Sequence, residues 1–436
     1  MRIGIDIRNI GKKRTGDEMV FFNLVKNLAE IDNENNYKLF TDINNKETVA
    51  DIKKRLGIEN KDNFEIISLK SSSKFIWNFW TLPNYLRKNP VDIYHTQYIT
   101  PFFVSKKINH HTKNPHKRLW NNLLVMLHLR KSGVGVKIIT IVHDISFNFY
   151  PRFIKFLDLF FLKILIPMSL RRADKVIGVS KFTRDEIVKY YKIYPHTKTP
   201  GLSGFFKNYF AKIKEKYFGV GVNPGKVDFI YNAVGDDFLN NNFSSEQLSS
   251  VGKKYNLPEN FIFHMGTMQP RKNIPILIKA YSKIKDRLGG TKLVLAGNKK
   301  AHNIDKEIDE VIKKLGVEDD VIFTGYIDQE DSPDVYKLAN VFCMPSLYEG
   351  FGIPVLEAMS QGTPVIASDI PSLREVAGDA AIYFNPQDID DLADKLYNAC
   401  IDKELRNKLI NLGSRQIEFF SWKKTSEKML GIYKEL

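Results

Sequence analysis

Five side chains have types and positions suited to chemistry on an anion: Arg271, Lys272, Glu349, Glu357 and His143. Both glutamates lie in residues 341–371, VFCMPSLYEGFGIPVLEAMSQGTPVIASDIP. Residues 341–344 are strand formers, ended by Pro345 and Ser346. A glycine-spaced loop, 349–353, follows. A helix then opens with Pro354 at its first position, where the missing N–H has no helical partner to lose. Gly362 and Pro364 stop that helix, and residues 365–367 form the next strand. This order aims the N–H groups of Phe351, Gly352 and Ile353 at a helix mouth, a seat for phosphate or sugar oxygens. Glu357, one turn inside so apolar a helix, either reaches water or binds something. Taken alone, the stretch is read equally well as an α/β turn with two solvated carboxylates.

The stretch 266–273, GTMQPRKN, also joins a strand to a helix. Cations at a helix N-terminus oppose its dipole, so helix stability does not explain Arg271 and Lys272. A diphosphate held between them and the helix mouth does, the alternative being two solvated side chains. His143 ends the strand 137–142, at the carboxyl edge where open α/β sheets carry their sites. The first strand, 2–7, leads into a loop from Gly11 to Glu18. That loop does not match G-x-G-x-x-G, which gives little support to a dinucleotide. Asp236-Asp237, Asp319-Asp320, His110, His111 and His116 lack partners at ligand spacing, so no metal site is expected.

Two sheets must hold these residues. Short apolar runs at 2–7, 37–41, 64–69, 91–95, 137–142, 175–179 and 227–230 predict strands, with helices such as 20–31 and 75–88 between them. The second half repeats the pattern at 261–265, 292–296, 321–324, 341–344, 365–367 and 381–384, with helix starts at Asn273-Ile274 and Ser332-Pro333. Valine- and isoleucine-rich runs without strict alternation suit parallel sheets covered on both faces. The predicted class is α/β: two Rossmann-like, doubly wound domains, 1–232 and 233–420, facing a central cleft, and a helix at 421–436.

The 436-residue chain is 43% hydrophobic and 26% charged, an ordinary globular composition. Two cysteines, Cys343 and Cys400, cannot build a disulfide framework and fit a reducing compartment. The opening MRIGIDIRNI alternates like a strand, so no signal peptide is expected. The nearest approach to a membrane span, 153–170, is broken by Lys155, Asp158, Lys163 and Pro167. The net charge of +15 expects an anionic partner. Residues 104–136 carry seven Lys/Arg and no acid, and residues 192–226 carry seven Lys and one acid. Within the latter, Leu202, Phe205, Phe206, Tyr209, Phe210, Ile213 and Tyr217 share one helical face, with lysines mostly on or beside the other. That is a membrane-surface pattern or a helix packed on its own domain. No nucleic-acid-binding signature accompanies the charge.

The segments SLYEGFGIPVLEAMSQGTPVIAS, HMGTMQPRKN and FFSWKKTSEKMLGIYKEL resemble the retaining glycosyltransferases of family 4, which have the GT-B fold. ITIVHD, LRRADKVIGVSKFTRDEI and IYNAVGDDF match in the first half. The resemblance covers most of the chain, is most specific over 258–436, and breaks at the two basic segments. It implies a nucleotide-activated sugar donor, transfer with retention, no obligatory metal and no cofactor besides the donor. Carried over, Lys272 with Arg271 binds the donor diphosphate, and Glu357 accepts the ribose hydroxyls. Glu349, with the N–H groups of Phe351, Gly352 and Ile353, holds the donor sugar. Tyr326 and Ile327 meet the base, and His143 faces the transferred sugar and the acceptor. The family has a small neutral loop near Gly16. Asp17 and Glu18 would repel a diphosphate there, so they point to the acceptor or the loop moves.

The expectation is a cytoplasmic enzyme, peripheral on the inner face of a membrane, moving a hexose from a nucleotide-diphosphate sugar to a lipid-linked or cell-surface glycan acceptor. GTMQPRKN resembles mannosyltransferases, which suggests mannose. Expected partners are the nucleotide sugar, the glycan or lipid-linked acceptor and an anionic membrane surface, with no nucleic acid. The alternatives are a sugar-nucleotide epimerase on the same fold and a catalytically quiet, membrane-associated binding protein.

Overall fold

The computed structural model describes residues 1–11, 16–101, 135–193, 222–239, 243–297, 299 and 304–436. Most of both basic segments, including the expected 202–217 helix, lies outside them. Two compact units are present: Met1–Ile145 with Phe160–Ile230 and Lys423–Leu436, and Ser146–Leu159 with Tyr231–Trp422.

The first unit is built on seven strands: β1 (Arg2–Asp6), β2 (Asn36–Thr41), β3 (Phe64–Ser68), β4 (Ile93–Gln97), β5 (Lys137–Val142), β6 (Lys175–Gly178) and β7 (Val227–Phe229). They pair in parallel in the order β3-β2-β1-β4-β5-β6-β7. The second unit holds β8 (Phe261–Met265), β9 (Lys292–Ala296), β10 (Val321–Gly325), β11 (Val341–Met344), β12 (Val365–Ser368) and β13 (Ala381–Phe384). Their order, β10-β9-β8-β11-β12-β13, is again wholly parallel. Both are doubly wound Rossmann-like sheets, as the apolar runs predict.

Burial explains why these runs are strands without alternation. All four residues of β11 are buried, because helices cover both faces of the sheet. The helix Ile274–Ile284 buries Ile274, Leu277, Ile278 and Tyr281 in one cluster with Ile262, Leu293, Leu295, Val341 and Cys343. Truncating a residue such as Leu277 there costs about 2–5 kcal/mol.

Some elements differ from the periodicity. The first helix begins at Gly16, not residue 20. Glu18 is therefore helical and buried, with Arg55 Nη2 3.9 Å from its Oε1. A buried charged residue carries no apolar signal. The run 75–88 is broken by a π turn, Trp77–Thr81. The last helix, Trp422–Lys434, reaches the first unit, where the Tyr433 hydroxyl lies 2.7 Å from His95 Nδ1 and Lys175 Nζ lies 2.7 Å from Glu435 Oε2. Among the described residues, no helix is long and apolar enough to cross a membrane.

Candidate active site

Strands β8 and β11 are neighbours, and strand order reverses between them. Loops that leave the carboxyl ends of two such strands are forced side by side. The first, 266–273, ends in a 3-10 turn, Pro270–Lys272, closed by Asn273 in the left-handed region at φ 56°. Asn273 Nδ2 donates to the Pro386 carbonyl at 2.9 Å. The second loop, 345–352, is pinned to it by Leu347 N donating to the Arg271 carbonyl at 2.8 Å.

This brings Lys272 Nζ to 2.6 Å from Glu349 Oε1 and Arg271 Nη1 to 3.2 Å from Glu349 Oε2. Arg271 also donates to the Tyr348 carbonyl at 3.2 Å. Lys272 and Glu349 are both buried, so neither is a solvated surface charge. The cations stand on the turn before the Ile274–Ile284 helix and address a carboxylate. Burial alone would push the Glu349 carboxyl up. The charges of Lys272 and Arg271, with the hydrogen bond from Lys272, outweigh burial and bring it down to about 2.

Glycines let the backbones approach this closely. Gly297, after β9, has φ +148°, and a Cβ there would fall 2.0 Å from the Gly266 carbonyl oxygen. Gly352 caps the helix Ile353–Ser360 at φ +119°, and a Cβ would fall 2.7 Å from Leu373 Cδ2. The helix begins at Ile353, one residue before Pro354. Glu357 within it is buried and accepts from the Tyr336 hydroxyl at 3.0 Å. Tyr336 is itself packed between Phe263 and Phe342, on the neighbouring strands β8 and β11.

Tyr326 and Ile327 follow β10, in the same row of loops, tied to it by Gly297 N donating to the Gly325 carbonyl at 2.8 Å. Tyr326 is exposed, and the Ile327 side chain is buried. Gly16 and His143 belong to the other unit. His143 follows β5 with its ring 5.4 Å from that of Tyr98, whose hydroxyl accepts from Asp144 N at 3.2 Å. Gly16 opens its helix on the surface, with no atom within 4 Å of a Cβ placed there.

Two contributors carry no sequence signal. His264, in β8, is buried with Nδ1 2.9 Å from the Cys343 carbonyl. A carbonyl only accepts, so Nδ1 carries the proton and Nε2 a lone pair. Nε2 is enclosed without a hydrogen-bond partner among the described residues. It would lie 3.5 Å from a Cβ on Gly266, with Lys272 Cε 3.8 Å from the same point. Burial lowers this imidazole to about 4; the Cys343 bond and Glu349 oppose that, and Lys272 adds to it. The segment Ser146–Leu159 braces the Glu349 loop: Tyr150 donates its hydroxyl to the Leu347 carbonyl at 3.2 Å, and Phe149 stacks on Tyr348. Among the described residues, no group of three His, Cys, Asp or Glu side chains could hold a metal ion.

Residues 248–416 match the family described as glycosyl transferases group 1. That stretch spans β8 to β13. The chain is 36% identical over 260 residues to the serotype-specific mannosyltransferase WbdA of Escherichia coli, a match covering 59% of this chain and 28% of that protein. The chain thus spans under a third of that relative's length. It is 29% identical over 300 residues to O-antigen chain mannosyltransferase B of Escherichia coli, covering 68% of this chain and 70% of the relative. A solved glycosyltransferase from Rickettsia africae ESF-5 shares the fold with a TM-score of 0.64 at 19% identity, over 100% of this chain and 98% of that one. The matched stretch contains every residue of the Arg271–Lys272–Glu349 cluster, and Glu357. With its two doubly wound units, the chain has the GT-B architecture.

Proposed function

We propose that this chain is a retaining, metal-independent hexosyltransferase that moves mannose from a nucleotide-diphosphate sugar to a lipid-linked or cell-surface glycan acceptor. The observation that carries the reading is the buried Arg271–Lys272–Glu349 cluster, set beside a glycine-opened helix mouth with Glu357 one turn behind. Support for mannose comes from relatives whose names are those of mannosyltransferases. The enzyme works as a cytoplasmic, peripheral protein on the inner face of a membrane.

The chemistry follows from charge. Glycosyl transfer passes through an oxocarbenium-like state in which the leaving group gathers negative charge. Lys272, Arg271 and the N–H groups of Phe351, Gly352 and Ile353 meet that charge as fixed, preorganised donors. Before a donor binds, Glu349 pairs with both cations. An entering diphosphate, carrying more than one negative charge, takes them over. Glu349 is then released to accept hydroxyls of the donor sugar, and Glu357 accepts those of the ribose. Tyr326 and the backbone of Ile327 meet the base. His143 and Gly16 act from the other unit, on the side of the sugar and acceptor.

The test is release of nucleotide from a panel of nucleoside-diphosphate hexoses, with and without glycan acceptor. Lys272→Ala and Glu357→Ala are expected to abolish it, and unchanged release would overturn the site. A product made from donor alone, with no free nucleotide, would mark an epimerase instead.

A further inference from the structure

The geometry points to a docking surface for an anionic lipid bilayer on the first unit, formed by residues 74–80 and the part of the helix Phe156–Arg172 that belongs to that unit, from Phe160 on. The inference rests on the membrane-peripheral part of the proposed function and is independent of sugar transfer.

The patch begins with a local helix irregularity. In an α-helix, residues three apart share a face. The wider π turn at Trp77–Thr81 separates them. Trp77 thus points inward, buried, with the Arg8 guanidinium carbon 4.5 Å from its ring centre. Trp80 points out and is 68% exposed. Phe75 and Ile76, one turn earlier, are exposed as well. Phe75, Ile76, Phe79 and Trp80 line one shallow groove. Phe161 extends it, with its ring 5.1 Å from Phe75, and Phe160 lies 5.8 Å further on. Leu165 and Met168, packed with Phe79, Ile99 and Ile164, hold the patch from beneath. A contiguous aromatic block of this kind is unlike the scattered single apolar residues normal on a surface.

Charge selects the occupant. Between residues 66 and 91 the chain carries Lys70, Lys74, Arg87 and Lys88 and no acid. Lys70 and Lys74 are exposed on the approach to the patch, and Lys163 is exposed on the second helix. Indole rings settle at the headgroup level of a bilayer, and lysine stems lie along apolar surface with their ammonium groups at the phosphates. Anionic headgroups add attraction for each such cation. The surface uses none of the residues 202–217.

The test is co-sedimentation of the full chain with vesicles of phosphatidylcholine, alone or mixed with phosphatidylglycerol. Wild type is expected to sediment with the mixed vesicles. Trp80→Ala with Phe161→Ala is expected to weaken this by about tenfold or more, the effect of keeping large apolar side chains out of an apolar environment. Brominated acyl chains should quench tryptophan fluorescence, and Trp80→Phe should remove most of that quenching. Lys272→Ala should sediment like wild type, and the patch variant should keep its melting temperature and donor-induced stabilisation. Those arms separate failure of this surface from failure of the donor site. Three results would overturn the proposal. The patch variant could sediment like wild type. Binding could vanish only when Lys207, Lys212, Lys214 and Lys216 are changed to Ser. Wild type could ignore vesicles and self-associate through the patch.

Discussion

Lys272 Nζ and Glu349 Oε1 are 2.6 Å apart although 77 positions separate them in the chain. Both are buried, so this ion pair is taken out of water and cannot lose a partner cheaply. Removing one member of such a pair costs about 3–5 kcal/mol because a buried charge is left uncompensated. Glu349→Gln takes the shared carboxylate from Lys272 and Arg271 together, whereas Lys272→Met leaves Glu349 with Arg271. Urea unfolding should therefore show Glu349→Gln to be the more damaging change.

The same pair sets a pH dependence. Glu349 lies near 2 in the folded chain, below its ordinary value of about 4.3. Its stabilisation is complete above the unfolded value and is lost as pH falls through about 4 towards 2, a loss on the order of 3 kcal/mol. Stability measured from pH 5 to pH 2 should fall more steeply for wild type than for Glu349→Gln.

His264 acts in a separate window. Its imidazole is held neutral down to about 4. A depressed histidine contributes stability above its unfolded value of about 6.5, and that contribution disappears as pH drops from there to 4. His264→Phe, which cannot titrate, should flatten the stability profile between pH 6.5 and 4, and an NMR titration of the ring should give the low value directly.

The two glycines assigned to the site should behave oppositely. Gly352→Ala forces a side chain into φ +119° and against Leu373. It should cost about 1–3 kcal/mol or more and weaken donor binding in a thermal-shift assay. Gly16→Ala meets no atom and replaces glycine in a helix, so stability should stay level or rise by up to about 1 kcal/mol. Transfer activity should nevertheless fall if Gly16 lies against the donor.

Tyr336→Phe removes the hydroxyl that donates to Glu357. A buried carboxylate short of a partner costs about 1–3 kcal/mol. Calorimetric titration with a nucleoside diphosphate should show weaker binding, because in the proposed site Glu357 would no longer be oriented for the ribose.

Periodicity and residue type alone locate every strand of both units to within two residues at either end. Apolar runs without alternation mark strands covered on both faces, and that is a local property. Arg271, Lys272, Glu349 and Glu357 are legible for a related reason: charges at a helix mouth, or inside an apolar helix, contradict local stability. Their partners are another matter. The pairing of Lys272 with Glu349 exists because strand order reverses between β8 and β11, which is decided by how the crossover helices pack. His264 reads as one more strand residue until the Cys343 carbonyl on the neighbouring strand fixes its tautomer. Tyr336 meets Glu357, and Tyr150 braces Leu347, across separations that no local pattern encodes. Chain chemistry thus names the groups, and tertiary packing alone decides which charges share a dry site.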